Sequence, residues 1–246
     1  MTRTRSDQPL NLSAAVTGAD PQPARRGRAA VMRWLLPLGV IAALAGFLGP
    51  WVAHPVAGLA ILGLDLGEYV KFLPEIRSGA ISLWREGFYL PLVAVSLTCS
   101  LCVFRREFAY HWLVRALLIV LAVVAALNLL PPAWTPQRML TPEFQQQAIA
   151  LGICLLAMLF SPFLALLPRW LATVLIAVLT LAALVIPAWQ FVQVLPGIAA
   201  LYNQPLLPGW GIFVMAMGLL DMLAVAVLLA TMPVQKPEPA QHSIIS

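Results

Sequence analysis

Long apolar runs separated by short polar connections make up most of the sequence. Six of these runs are close to the length that an α-helix needs to cross about 30 Å of hydrocarbon at about 1.5 Å per residue. They cover residues 34–52, 89–104, 112–130, 147–166, 170–186 and 210–232. Most of them stop at or near a proline, which lacks the N–H group that a continuing helix would use. The pattern predicts an all-α fold, a polytopic membrane helix bundle of about six transmembrane helices.

The composition excludes an ordinary soluble domain. Of the 246 residues, 61% are hydrophobic and 10% are charged, and the mean hydropathy is +0.88. A typical soluble domain is about half apolar and about a quarter charged. The net charge of +5 is therefore interpreted as a topology signal, and membrane lipids rather than nucleic acid are the expected partners.

Basic residues are distributed unevenly over the two sides of the predicted bundle. If the N-terminus is inside, the four basic residues that fall outside are Lys71, Arg77, Arg85 and Arg138. The other eleven fall inside, and the short connections at Arg105-Arg106 and Arg169 belong to this larger set. The positive-inside rule therefore predicts an N-in/C-in, multi-pass topology in the cytoplasmic (inner) membrane of a bacterium, with both termini cytoplasmic.

Tryptophan residues lie near the predicted ends of the apolar runs. This set comprises Trp34, Trp51, Trp112, Trp170, Trp189 and Trp210. Such positions are typical of the aromatic belts that mark the two membrane–water interfaces.

Three regions are predicted along the chain. Residues 1–30 form a basic cytoplasmic tail without an apolar period, which predicts disorder. Residues 31–233 form the six-helix transmembrane domain, with a long external loop at 53–88, and residues 234–246 form a cytoplasmic C-terminal tail. The small residues at 43–45 resemble a signal-peptidase site, but the basic region before them is too long for an ordinary signal and the apolar run continues beyond them. An uncleaved first span is therefore favoured.

The long external loop contains a short amphipathic segment over residues 65–75. Its apolar positions at three-to-four spacing are Leu66, Tyr69, Val70 and Leu73, and its charged positions at the same spacing are Glu68, Lys71 and Glu75. This pattern predicts a short helix at the outer interface, and residues 81–88 present a second, similar piece. One interpretation is a cap that covers the bundle. The other is a lid or docking surface for a partner, with candidate residues Glu68, Tyr69, Lys71, Phe72 and Trp84.

The last external loop, residues 187–208, contains no charged residue. Pro196 and Gly197 interrupt it midway. An uncharged loop is typical of backbone that is covered by protein or dips into the membrane. A re-entrant or partner-covered segment and simple packing beneath the first external loop are both consistent with this pattern.

Asp221 is the single carboxylate inside a predicted span, and it falls near the middle of the sixth. An acidic residue at this depth is costly and marks a candidate functional residue for proton coupling, cation binding or an ion pair. The alternative is a protonated side chain that is hydrogen-bonded within the bundle. Arg115, one turn into the third span, is the candidate partner, although it could also extend to the cytoplasmic interface.

The sequence carries no signature of a catalytic, cofactor or metal site. The patterns of serine hydrolases, metalloproteases and nucleotide-binding loops are absent, so no enzyme activity is expected. His54 and His111 fall at opposite membrane faces, where a solvated histidine is ordinary. Cys99 and Cys102 share a helix face inside an apolar run, which favours packing over redox chemistry.

Two classes of function are consistent with these patterns. In size and number of spans the chain resembles the permease subunits of bacterial ABC transporters, which work with a separate ATPase. This resemblance implies a permease-type subunit of a transport complex, with Asp221 and the uncharged loop lining a path. The second class is a non-catalytic accessory or assembly subunit of a respiratory, photosynthetic or secretion complex. Other membrane subunits are expected partners in both.

Overall fold

The computed structural model describes residues 21–54, 56–131, 134–139 and 141–232. The chain is mostly helical. Its helices are α1 (Pro21–Leu48), α2 (Gly63–Tyr69), α3 (Pro74–Arg77), α4 (Leu90–Cys102), α5 (Trp112–Leu127), α6 (Pro136–Met139), α7 (Gln145–Leu159), α8 (Ser161–Leu164), α9 (Arg169–Tyr202) and α10 (Trp210–Thr231). Three 3-10 turns at Ala57–Leu59, Val70–Phe72 and Arg85–Tyr89, together with the strands β1 (Pro50–Val52) and β2 (Ile61–Leu62), complete the described elements.

Among the described residues, three helical stretches are long and apolar enough to cross a membrane: Ala30–Leu48 within α1, all of α9, and α10. The predicted second, third and fourth spans correspond to the shorter helices α4, α5 and α7, of 13, 16 and 15 residues. Two of these helices end at a local feature. Helix α5 is followed by Asn128, whose side-chain Nδ2 donates to the Val124 carbonyl 2.8 Å away, and one residue separates α7 from the short, proline-containing α8.

The expected external loop at 187–208 is largely helical, and this expectation is corrected. Helix α9 continues through Pro187 and Pro196 as far as Tyr202 and ends at Asn203, which has a left-handed φ of 51°. A proline removes only its own N–H from the helix ladder, and the buried positions continue at helical spacing beyond it. These positions are Pro187, Gln190, Phe191, Val194 and Ile198. Only residues 203–209 connect α9 to α10.

The predicted C-terminal tail and the first 20 residues of the predicted N-terminal tail lie outside the described residues. Residues 1–20 and 233–246 are not described. Helix α1 begins at Pro21, inside the segment that was expected to be an unstructured tail.

The amphipathic segment at 65–75 forms two helices rather than one. Pro74 holds the preceding Leu73 in an extended conformation, so the chain turns between the 3-10 turn at Val70–Phe72 and α3. The apolar side chains of Leu66, Val70 and Leu73 are buried in the main hydrophobic core. This part of the loop therefore packs as a cap against the protein itself.

Helix α4 lies at the centre of the bundle, with ten of its 13 residues buried. It contacts α1, α5, α7 and α9. At its N-terminal end, Trp51 is fully buried and makes edge-to-face contacts with Phe47, Phe88 and Phe191. Trp51 was expected in an interfacial belt, but it is instead a core residue that packs against α1, the 3-10 turn Arg85–Tyr89 and α9.

Candidate functional site

Charged residues from two loops that are far apart in sequence form one cluster, here called the outer polar cluster: Glu68, Lys71, Arg85, Glu86 and Glu143. Lys71 Nζ donates to Glu68 Oε2 at 2.6 Å and to Glu143 Oε1 at 2.5 Å. Arg85 donates to the same Glu143 oxygen at 3.3 Å, to the Glu143 backbone carbonyl at 2.7 Å and to Glu86 at 3.0 Å. Glu143 therefore joins the segment 53–88 to the segment that precedes α7.

The neighbours of Glu143 add to this attachment. The Phe144 ring lies 5.3 Å from Lys71 Nζ and 5.9 Å from the Arg85 guanidinium, within the range of cation–π contacts. The hydrogen bond from Lys71 lowers the pKa of the Glu143 carboxyl, and Arg85 lowers it further. The two cationic partners therefore favour the Glu143 carboxylate, which holds the two segments together.

Trp84 connects the outer polar cluster to α7 and to the extension of α9. Its indole Nε1 donates to Gln146 Oε1 at 2.9 Å, and its carbonyl accepts a 2.6 Å hydrogen bond from Gln190 Nε2. Gln190 lies in the part of α9 that was expected to be a loop, and it is 6% exposed. The cap therefore packs against the proline-containing half of α9.

Further contacts between this half of α9 and the segment 53–88 support the arrangement. Tyr202, the last residue of α9, donates from its hydroxyl to the Leu59 carbonyl at 3.1 Å. Burial and the neighbouring Tyr202 phenol raise the pKa of Tyr69 to about 12. A Cβ placed on Gly197 would lie 3.1 Å from Glu75 Oε2, so α9 and the cap approach each other closely at this point. Of the two interpretations of residues 187–208, packing beneath the first external loop is the one that these contacts favour.

The structure brings some of the predicted lid or docking residues together and separates others. Glu68 and Lys71 belong to the outer polar cluster, and Trp84 lies beside it. Tyr69 faces Tyr202 at the far side of the cap. Phe72 is 69% exposed and contributes to neither group.

Asp221 lies near the middle of α10, at its crossing with α1. A Cβ placed on Gly39 of α1 would lie 2.9 Å from Asp221 Cβ. Among the residues that the structure describes, no hydrogen bond or ion pair involves the Asp221 carboxylate. The acid thus lies at a helix crossing at the depth where both helices are apolar.

Glycines make this crossing unusually close. A Cβ on Gly46 would overlap the backbone nitrogen of Met215, and a Cβ on Gly218 would overlap that of Ala43. Gly39 and Gly46 on α1 are seven residues apart, as are Gly211 and Gly218 on α10. Close approach of two helix backbones through small residues is typical of membrane-helix pairs.

Arg115 does not pair with Asp221 in the described structure. Its guanidinium instead lies 5.7 Å from the Phe104 ring, next to the connection between α4 and α5. A cation–π contact stands in place of the expected ion pair.

The histidines and cysteines have local roles. His54 Nδ1 accepts from the Val56 backbone N–H at 3.0 Å, and His111 Nδ1 accepts from that of Leu113 at the start of α5. Cys99, Cys102 and Cys154 are buried and free. Within the described ranges, no group of three His, Cys, Asp or Glu side chains is placed to hold a metal ion.

Sequence reasoning missed Glu143, Gln190 and the paired glycines. Glu143 carried a signal, because it is the only acidic residue between Glu107 and Asp221. The seven-residue glycine spacing on two apolar runs was also visible. No comparable signal marked Gln190, because its partner Trp84 is 106 positions away.

No protein-family model matches this chain, and no curated protein or solved structure matches it either. The function is therefore argued from the residues and their arrangement.

Proposed function

We propose that this chain is a multi-pass membrane protein in which six helices cross the bilayer and both termini are cytoplasmic. The exposed face of α9 supports this placement. Trp170 and Trp189 are both exposed and lie 19 residues apart, or about 28 Å along the helix axis, which is close to the thickness of the hydrocarbon core. Between them the exposed side chains are apolar: Val174, Leu175, Val178, Leu181 and Val185.

The remaining shorter helices would cross as part of the same bundle. Helix α4 is enclosed by α1, α5, α7 and α9. Its length therefore does not have to match the thickness of the hydrocarbon core, as that of a lipid-exposed helix would. Helices α5 and α7 carry exposed apolar side chains, including Leu117, Val120, Ile149 and Ile153. The uneven distribution of basic residues supports the N-in/C-in orientation in a bacterial inner membrane.

We infer that the protein is a permease-type subunit of a transport complex, and Asp221 carries this inference. An acidic side chain in the middle of a membrane-crossing helix costs free energy, and such residues usually mark ion or substrate pathways. Asp221 has no hydrogen-bond or ion-pair partner among the described residues. Its carboxylate is therefore available to bind a proton or a cation at the α1–α10 crossing.

The test uses tagged full-length protein, purified in mild detergent from membranes of the cells that make it. Chains that co-purify are identified by mass spectrometry, and the complex is reconstituted into vesicles for an assay of ATP hydrolysis. We expect an ATPase to co-purify with the wild type and with Asp221→Asn, and ATP turnover to fall at least tenfold in the variant. Asp65→Asn removes an exposed carboxylate in the first external loop and serves as the matched control with unchanged turnover.

The second candidate is a non-catalytic accessory or assembly subunit, and the connection between α4 and α5 favours it. Phe108 and Tyr110 in this connection are buried, and Arg105 is 3% exposed. Arg105 also donates to the Leu167 carbonyl at 3.3 Å. The segment is thus folded against the bundle, which leaves little surface for an ATPase. Co-purification of redox or secretion subunits without an ATPase would replace the transport proposal with this one.

A further inference from the structure

Three segments that are distant in sequence meet at one end of the bundle, here called the basic end. It comprises Arg33 on α1, Arg105 and Arg106 after α4, Arg115 on α5, and Arg169 at the start of α9. Arg105 bonds to Leu167, two residues before Arg169, and Arg115 lies over Phe104. The start of α1 lies at the same end, because α1 packs antiparallel to α10, with Gly39 against Gly218 and Gly46 against Gly211, and α10 begins at the opposite end of α9.

The basic end has a large excess of positive charge. Its one described carboxylate is Glu107, which pairs with the buried Arg105 at 3.3 Å. Arg33 and Arg106 are exposed, and neither forms an ion pair with another described residue. Two guanidinium groups are thus left to bind an anion from the surroundings.

Exposed tryptophans lie at the same end of three helices. Trp34, Trp112 and Trp170 are 68%, 66% and 67% exposed. Each one begins a stripe of exposed apolar side chains at helical spacing, such as Leu38 and Ile41 on α1. Indole rings prefer the headgroup level of a bilayer, with the apolar stripe below them in hydrocarbon.

We propose that the basic end binds the phosphate headgroups of anionic phospholipids through Arg33 and Arg106. This inference rests on the membrane placement proposed above, but not on a transport activity. Two exposed guanidinium groups lie at the same end of the bundle as three exposed indoles and an exposed apolar surface, and a phospholipid presents its phosphate directly above its acyl chains. An acidic soluble protein would neutralise the charge but would leave the adjoining apolar side chains uncovered.

The experiment measures the thermal stability of the purified full-length protein in a phosphorus-free detergent. Phosphatidylglycerol, phosphatidylcholine and inorganic phosphate are titrated separately. We expect phosphatidylglycerol to raise the melting temperature in a saturable, salt-sensitive way that neither of the others reproduces. Arg33→Gln with Arg106→Gln should weaken the apparent affinity for phosphatidylglycerol about fivefold per arginine, since each basic residue near an anionic surface contributes about 1 kcal/mol.

The matched control is Arg77→Gln with Arg138→Gln, which removes two arginines from the opposite end and should retain the wild-type response. Melting in phosphatidylcholine reports whether each variant is folded and accommodated by lipid. Equal stabilisation by the two lipids, or a full response in the Arg33/Arg106 variant, would overturn the proposal. A response to inorganic phosphate equal to that of phosphatidylglycerol would show a site for free anions instead.

Discussion

Gly46 of α1 packs directly against the backbone of Met215 in α10, so closely that a Cβ at Gly46 would overlap the Met215 amide nitrogen. Because the obstructing atom belongs to the backbone, it cannot move aside as a flexible side chain could. We therefore expect Gly46→Ala to push the two helices apart and to lower the free energy of unfolding by about 1–3 kcal/mol, as in other overpacked interiors. Thermal denaturation in detergent measures the change.

Gly152 provides the matched control for this substitution. It lies inside α7, where a Cβ would meet nothing within 4 Å. Gly152→Ala should therefore raise stability by about 0.5–1 kcal/mol, because alanine loses less backbone entropy in a helix. If both variants gained stability, the inference that α1 and α10 are in close backbone contact at Gly46 would be wrong.

Gln190 attaches α9 to the segment 53–88 through its 2.6 Å hydrogen bond to the Trp84 carbonyl. Gln190→Leu preserves much of the volume but removes this donor, and the carbonyl then keeps only its 2.9 Å hydrogen bond from the Gly87 N–H. We expect a loss of about 0.5–1.5 kcal/mol in unfolding free energy, the usual contribution of one hydrogen bond. Gln146→Leu removes the exposed partner of the same tryptophan's indole and should change stability much less. A reversed order of the two effects would contradict the assigned burial.

Glu143 is the shared acceptor of Lys71 and Arg85, and it is half-exposed. Exposed ion pairs contribute about 0.2–1 kcal/mol, so Glu143→Gln should have a small effect that disappears at high salt. Asp65→Asn, at an exposed carboxylate, is the comparison. Melting temperatures at low and high ionic strength measure the difference. An effect of Glu143→Gln that is independent of salt would indicate that packing, not charge, holds the two loops.

The same carboxylate predicts a pH dependence with a definite sign. The pKa of Glu143 is lowered in the folded protein from its ordinary value of 4.5. Its contribution to stability is therefore fully present above that value and is lost as the pH falls through the lowered pKa. The difference in melting temperature between the wild type and Glu143→Gln should be constant near neutral pH and should shrink in acid. A difference that grows in acid would reverse the assignment.

Pro196 tests whether residues 187–202 are helical. It is exposed in α9, so alanine would restore a backbone hydrogen bond without removing buried volume. Pro196→Ala should then raise stability by about 1–3 kcal/mol and slow amide exchange around that position. In an irregular loop, the same change would be neutral or destabilising. Hydrogen exchange followed by mass spectrometry distinguishes the two outcomes.

Local pattern predicted a helical, membrane-type protein because apolar composition and helical periodicity are properties of the chain itself. The long runs that became α1, α9 and α10 were recognised, and the three helices are long and apolar enough to cross a membrane. The number of spans and their orientation stay predictions. The expectation that a helix stops at a proline is wrong at Pro187, because tertiary packing of Gln190 and Phe191 stabilises the helix beyond it.

For the candidate site, too, some residues could be selected from the sequence and others only from the tertiary structure. Sequence alone selected Asp221 as a candidate, as an acidic residue inside an apolar run, and Lys71 and Glu68 by their spacing on one short segment. Only the tertiary structure placed Glu143 between Lys71 and Arg85, Gly39 against Asp221, and Arg115 over Phe104. Apolar burial is encoded by the periodicity of neighbouring residues, but the pairing of charges and the close approach of glycines depend on how distant helices pack. That packing decides which polar groups meet.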